Sequence, residues 1–362
     1  MNEDRSSRYH RLKRQAGILS VLWSVVLLAG LLVSGASVGL RDLAGGSIFA
    51  IVFYVALLLL LNELGGLPIA FYSGFLLERR YGLSKEPLGR WLLDQLKSFA
   101  IGLLLSSVAA AILYALIRVS PDGWWLPAGI VFALLIVGLA NLAPVLLLPL
   151  FYSVKPLDRE TLRARLMTLA DRAGARVLGA YEWGLSEKTK KANAALAGIG
   201  ATRRILVSDT MLAEYSDEEI EVVLAHELAH HVHGDIWKGI VFEGVLILAG
   251  FYLAARVLAW LAPAVGLNGV ADIAGLPLLV LAAGAVSFVM LPVAHAMSRA
   301  FERSADRFAL SLTKNPEAFI SAMKRLAAQN LAEEHPSRLV QVLFYSHPPV
   351  RDRIASAQSF KA

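Results

Sequence analysis

The chain has 362 residues, 56% of them hydrophobic and only 18% charged, where a soluble domain has about 25% charged residues. It contains no cysteine, which excludes disulfides and thiolate metal sites, so any metal must be held by His, Asp or Glu. The net charge of +6 is distributed along the flanks of apolar runs, which argues for membrane topology and against nucleic-acid binding.

Six segments are each near or above the ~20 apolar residues that a spanning helix needs. They run over about 17–39, 48–76, 98–118, 125–151, 237–262 and 273–297. Before the first, "RSSRYHRLKR" carries five Lys/Arg. The loop 78–97 carries Arg79, Arg80, Lys85, Arg90 and Lys97, region 152–236 is rich in Lys and Arg, and loop 263–272 has none. The positive-inside rule then places both termini, loop 78–97, region 152–236 and the tail 298–362 in the cytoplasm. The basic start, apolar run and "SGASVG" have the look of a secretory signal. The apolar run exceeds the ~7–15 residues of a signal core, so an uncleaved anchor is expected.

The expected fold class is a multi-pass α-helical membrane protein, about six transmembrane helices around a chamber, with a cytoplasmic mixed α/β unit. Residues 1–152 form an N-terminal membrane part with four spans, and 153–235 a cytoplasmic part with a strand hairpin and a metal-binding helix. Residues 236–297 add two spans, and 298–362 form a C-terminal catalytic part. Within the second part, 158–174 has helical periodicity, 175–183 reads as a strand, and "KANAALAGIGATRRILVSD" reads as a hairpin around a glycine turn. Ser216 and Glu219 form a capping box that opens the next helix, which stops near Gly234.

That helix contains "HELAHHVH", four of the chain's eight histidines. His226 and His230 are one turn apart on one helix face and can both reach a single zinc ion at about 2.0–2.1 Å. Glu227 is then placed to act on a water as general base. His231 points about 100° away, and His233 lies about 10.5 Å along the axis from His226, too far to share its ion. Both are read as solvent or lipid-headgroup contacts. A catalytic zinc site has three protein ligands. Glu302 and Asp306, one turn apart in "ERSAD" just after the sixth span, are the candidates: one to ligate, the other to support a ligand histidine. Spans five and six, antiparallel, return both motifs to one membrane surface. Glu63, Glu243 and Asn141 lie within spans. Intramembrane ionisable groups face a partner or a hydrated cavity, so either an ion pair with Arg256 or Lys238 or a wet chamber wall is expected.

At these residues the chain resembles the type I CAAX prenyl protease family, membrane zinc peptidases of the gluzincin type. The similar segments are "HELAH", "ERSADRFA", "YSHPPVRDRI", "ANAALAGIGATRRILVSDTML" and the loop "FLLERRYGLSKEPLGRWLLDQLK". The resemblance implies a gluzincin-like peptidase with one Zn2+ per chain, Glu302 as third ligand and Asp306 as the partner that supports the ligands from behind. It implies that Asn193 binds the substrate backbone at an edge strand and that His347 stabilises the oxyanion. Arg353 would pair with an active-site carboxylate. The chain departs from the family in having six spans rather than seven. The activity expected is zinc-dependent endopeptidase cleavage of membrane-associated or prenylated-type substrates, with a peptide or protein, lipidated or membrane-embedded, and the bilayer itself as partners. A bacterial inner membrane with a cytoplasmic active site is the expected location. The alternatives are an HtpX-type quality-control protease and, from another class, a transporter or scaffold with structural zinc.

Overall fold

A computed structural model describes residues 4–45, 49–198 and 203–360. The chain opens with α1 (Arg5–Val33), the short α2 (Ala36–Ala44) and α3 (Ala50–Ala70). Helix α3 contains Pro68 and continues through a π-turn at Phe71–Leu76 into α4 (Leu77–Arg80). A proline inside a helix removes one backbone donor, and a widened turn beside it is a common accommodation. Next come α5 (Leu88–Val119), α6 (Trp125–Leu146) and the single turn α7 (Leu148–Phe151).

The unit outside the spans comprises β1 (Val154–Pro156), α8 (Glu160–Arg172), β2 (Ala180–Trp183), β3 (Ala194–Ala197), β4 (Arg204–Ser208), α9 (Asp209–Glu214) and α10 (Asp217–Val232). Two long helices follow, α11 (Asp235–Leu261) and α12 (Leu276–Thr313), then α13 (Pro316–Gln329), α14 (Arg338–Phe344) and α15 (Val350–Gln358).

By length and composition, five of the described helices can cross a membrane: Arg5–Val33, Ala50–Arg80, Leu88–Val119, Asp235–Leu261 and Ile273–Thr313. A sixth apolar stretch, Trp125–Ala140, is shorter. The six expected spans therefore coincide with six apolar helices, five of full length. Helices suit this role because each satisfies its own backbone groups. Their inner faces meet around Tyr54, Tyr114, Trp124, Leu258 and Leu278. The basic start of α1 also grips the rest of the chain: Tyr9 donates to Glu78 Oε1 at 2.6 Å, and Arg14 Nη1 to Glu333 Oε2 at 2.6 Å. Glu63 and Glu243 are exposed on their helices and, among the described residues, neither has an ion pair. Lys238 is held by Asp235 instead, at 3.0 Å. The side chain of Asn141 lies outside the described set.

The sheet has the order β1-β2-β4-β3. Pairing is antiparallel for β1–β2, parallel for β2–β4 and antiparallel for β4–β3. The expected hairpin is β3–β4; its turn residues 199–202 lie outside the described set. The strand expected over 175–183 is confined to Ala180–Trp183. Strand β1 was not anticipated: it has three residues, one of them Pro156, a residue tolerated at a sheet edge.

Helix α10 starts as its sequence dictates. Ser216 Oγ accepts from the Glu219 N–H, and Glu219 Oε2 accepts from the Ser216 N–H at 2.9 Å. Gly234, at φ 66°, ends it and turns the chain into α11. This left-handed conformation costs glycine little and an L side chain roughly 1–2 kcal/mol. The buried face of α10, with Ile220, Leu224 and Leu228, packs on Leu162 and Leu166 of α8, Ile205 of β4 and Phe319 of α13. Each such side chain contributes about 1.5–3 kcal/mol on burial. The histidine-bearing helix is thus wedged between sheet, α13 and α12.

Candidate active site

One face of α10 and the outer end of α12 bring His226, His230 and Glu302 together, with one donor atom from each within 4.8 Å of the others. His226 Nε2 lies 3.2 Å from Glu302 Oε2, and His230 Nε2 lies 3.3 Å from Glu302 Oε1. The two imidazoles are nearly perpendicular, with centroids 5.1 Å apart. His226 and Glu302 are buried.

Each imidazole is oriented from behind by a carboxylate. Asp306 Oδ1 lies 2.9 Å from His226 Nδ1, and Asp235 Oδ2 lies 3.0 Å from His230 Nδ1. With a metal bound, a proton kept on each Nδ1 by these carboxylates would leave each Nε2 lone pair free for the ion. Arg353 holds Asp306 with Nε to Oδ2 at 2.9 Å and Nη2 to Oδ1 at 2.6 Å. The residues expected from the sequence, His226, Glu227, His230, Glu302, Asp306, His347, Arg353 and Asn193, therefore gather in one place.

Asp235 is a partner that sequence reasoning missed. The signal was available: an aspartate directly after the helix-ending Gly234, five residues beyond His230. His231 and His233 correct the reading as solvent or headgroup contacts. His231 Nε2 lies 2.9 Å from Arg203 Nη1, and His233 packs edge-on against Phe308 with Nδ1 3.3 Å from Ser304 Oγ. Both histidines face protein because α10 is enclosed on several sides rather than lying on the surface.

A cleft runs from this cluster, lined by Asn193, Glu227, Met323, Leu326, Asn330 and His347 among others. Burial pushes the Glu227 carboxyl above the usual carboxylate range, opposed by the neighbouring His226 and His230. At His226, burial disfavours the charged form. The adjacent Asp306 and Glu302 carboxylates outweigh it and raise the imidazole to about 9. His347 Nε2 lies 3.3 Å from Glu302 Oε1 and its Nδ1 2.9 Å from Ser346 Oγ, on a side chain otherwise open to the cleft.

The cluster fits a divalent metal. Glu302 Oε2 is buried, with His226 Nε2 3.2 Å away but no aligned hydrogen bond, a costly arrangement unless a cation uses its lone pairs. Two imidazoles and one carboxylate make the donor set of a catalytic, rather than a closed structural, zinc site.

A cluster able to hold a metal beside a half-buried glutamate, shared between α10 and the outer end of the spanning helix α12, defines a membrane metalloendopeptidase, and comparison with known proteins agrees. The profile of peptidase family M48 matches residues 156–361, and that of the CAAX prenyl protease N-terminal region, described as five membrane helices, matches residues 2–153. The chain belongs to peptidase family M48. It is 31% identical to the uncharacterized metalloprotease YhfN of Bacillus subtilis, over 98% of this chain and 84% of that one. It is 26% identical to CAAX prenyl protease 1 of Saccharomyces cerevisiae, over 84% of this chain and 71% of that one. The crystal structure of S. mikatae Ste24p has the same fold, with a TM-score of 0.87 at 21% identity, covering 98% of this chain and 88% of that one. Membership of a peptidase family sets aside the reading as a transporter or scaffold.

Proposed function

We propose that the chain is a zinc-dependent endopeptidase that cuts membrane-associated or prenylated-type substrates at the cytoplasmic face of the membrane. The observation that carries this is the convergence of His226, His230 and Glu302 around the buried Glu302 oxygen, with Glu227 beside them. These three side chains would hold one zinc ion. Bound there, it supplies Lewis-acid polarisation of the scissile carbonyl and lowers the pKa of water. Asp306 and Asp235 fix the two imidazoles, and Arg353 fixes Asp306.

Glu227 accepts the proton of the attacking water and passes it to the leaving amine. The half-buried position that raises its carboxyl pKa favours this shuttle. His347, whose Nε2 faces the cleft, donates to the oxygen that becomes negative as the carbonyl carbon is attacked. The substrate lies along the free edge of β3, next to Asn193, as an added strand. The basic flanks support a cytoplasmic position for both termini and this site. A hydrated chamber between the spans accounts for Glu63 and Glu243, exposed on apolar helices with no ion pair among the described residues. The prenylated class is suggested by the relatives named as CAAX prenyl proteases.

The test is cleavage of farnesylated and plain peptides of one sequence, side by side, by purified protein in detergent. Preference for the farnesylated peptide supports the assignment. Equal or better cleavage of plain, unfolded membrane segments would move the assignment to quality control.

A further inference from the structure

Strand β3 is the free edge of the sheet, but only part of that edge is available. Asn193 exchanges both backbone groups with Ser208: its carbonyl accepts from the Ser208 N–H at 2.9 Å, and its N–H donates to Ser208 Oγ at 2.9 Å. The antiparallel register pairs Ala195 with Leu206 and Ala197 with Arg204. Backbone groups of alternate residues point to opposite sides of an antiparallel strand. Residues 193, 195 and 197 therefore face β4, and 192, 194 and 196 face outward. The other side of β4 agrees, since the Ile205 N–H donates to Gly179 at 3.0 Å on the β2 side.

The outward position at Ala192 is already filled. Its N–H donates to Asn330 Oδ1 at 3.1 Å, and its carbonyl accepts from Asn330 Nδ2 at 3.2 Å. One side chain thus imitates the paired backbone of a neighbouring strand. Gln329 Nε2 extends the seal by donating to the Lys190 carbonyl at 2.8 Å. Both side chains come from the end of α13, and Asn330 also lines the cleft with His226 and Glu227.

We propose that Asn330 is a strand stop that sets the register of the substrate and so decides which peptide bond meets the metal cluster. This inference rests on the edge-strand reading of substrate binding. An added peptide can pair with Ala194 and Leu196 but not with Ala192. The stop stands at the end of the edge nearest the metal cluster. Beyond the scissile bond the peptide must leave the sheet and enter the cleft between Met323, Leu326, Ala327 and Ala332. Pairing therefore holds one side of the scissile bond, and an apolar pocket receives the other. Substrates are selected for small or aliphatic side chains in that pocket and against proline opposite Ala194 and Leu196, because proline lacks the N–H that strand pairing uses. Removing the stop opens one more outward position, two residues along, because the strand repeat is two.

The test uses oxidised insulin B chain with purified, zinc-loaded full-length protein, its products mapped by mass spectrometry. Asn330→Ala is expected to add, at each wild-type cut, a second cut displaced by two residues. Asn330→Asp keeps an acceptor for the Ala192 N–H but not the donor for its carbonyl, and should give a smaller share of displaced cuts. Zinc content reports that each variant is folded. Cutting at wild-type positions alone by zinc-loaded Asn330→Asp and Asn330→Ala would overturn the proposal. The underlying reading is tested separately, with B-chain peptides N-methylated at single backbone positions near the cut. A wild type indifferent to every such methyl group would overturn strand addition itself, and the stop with it. Sensitivity to methylation without any displaced cut would overturn the stop alone.

Discussion

Arg353 grips Asp306 through two parallel hydrogen bonds, Nε to Oδ2 at 2.9 Å and Nη2 to Oδ1 at 2.6 Å, and Asp306 in turn faces His226 Nδ1 at 2.9 Å. The C-terminal helix α15 thus reaches the metal cluster through one forked guanidinium. Lysine carries the charge but not the fork. Arg353→Lys should lower zinc affinity about tenfold, and Arg353→Ala about a hundredfold, the range seen when the supports of metal ligands are removed. Zinc titration against a fluorescent chelator reads this. Unchanged affinity in Arg353→Ala would remove Arg353 from the site.

Asp235 should matter as much as Asp306. It faces His230 Nδ1 at 3.0 Å and is buried. Asp235→Asn keeps the size but removes the charge, and should weaken zinc binding by about ten- to a hundredfold. Its partner Lys238 is half exposed and contributes little, so Lys238→Ala should leave affinity within about twofold. The two variants measured together separate the orienting contact from the local charge.

In chelator-treated protein, Asp306 and Glu302 raise His226 to about 9, in spite of burial. A raised imidazole holds its proton through neutrality, and zinc must displace that proton to bind. Zinc affinity should therefore rise with pH, by up to about tenfold per unit for one displaced proton, and level off once the pH passes about 9. Isothermal titration in buffers of different ionisation enthalpy counts the protons released. A flat affinity between pH 6.5 and 9 would contradict the assignment.

Glu219 is a stability prediction. It is buried, closes the capping box of α10, and also receives Ser321 Oγ and Arg325 Nε from α13. Ser216→Ala removes only the cap and should cost about 1 kcal/mol. Glu219→Ala removes the cap and also the contacts of half-buried Ser321 and exposed Arg325 on α13, and should cost about 2 kcal/mol. Thermal unfolding should rank the two in that order.

The spans were readable because each needs only a local run of apolar residues. The metal helix was readable because its cap, its one-turn histidine spacing and its terminating Gly234 all lie within a few turns. Glu302 was reachable through topology, since the paired spans α11 and α12 bring both motifs to one surface. Asp306 was open between two roles until the resemblance was considered, and His347, Asn193 and Arg353 came from that resemblance alone. Pairings set by tertiary packing were not readable. The parallel β2–β4 pair is connected through β3, with no local turn to signal it, and β1 is too short to announce itself. Asn330 reads as an ordinary helix-ending asparagine, yet it pairs with a backbone 138 residues away. His231 and His233 were misread because a helix wheel does not show what surrounds the helix.

The central claim is that Glu227 performs proton transfer beside a zinc ion that it does not itself hold. The most direct measurement is zinc content together with peptide cleavage for wild type and Glu227→Gln, purified in parallel. One zinc per chain is expected in both proteins, with cleavage by the variant reduced at least about a thousandfold. A zinc-loaded Glu227→Gln protein that cleaves at the wild-type rate would contradict the claim.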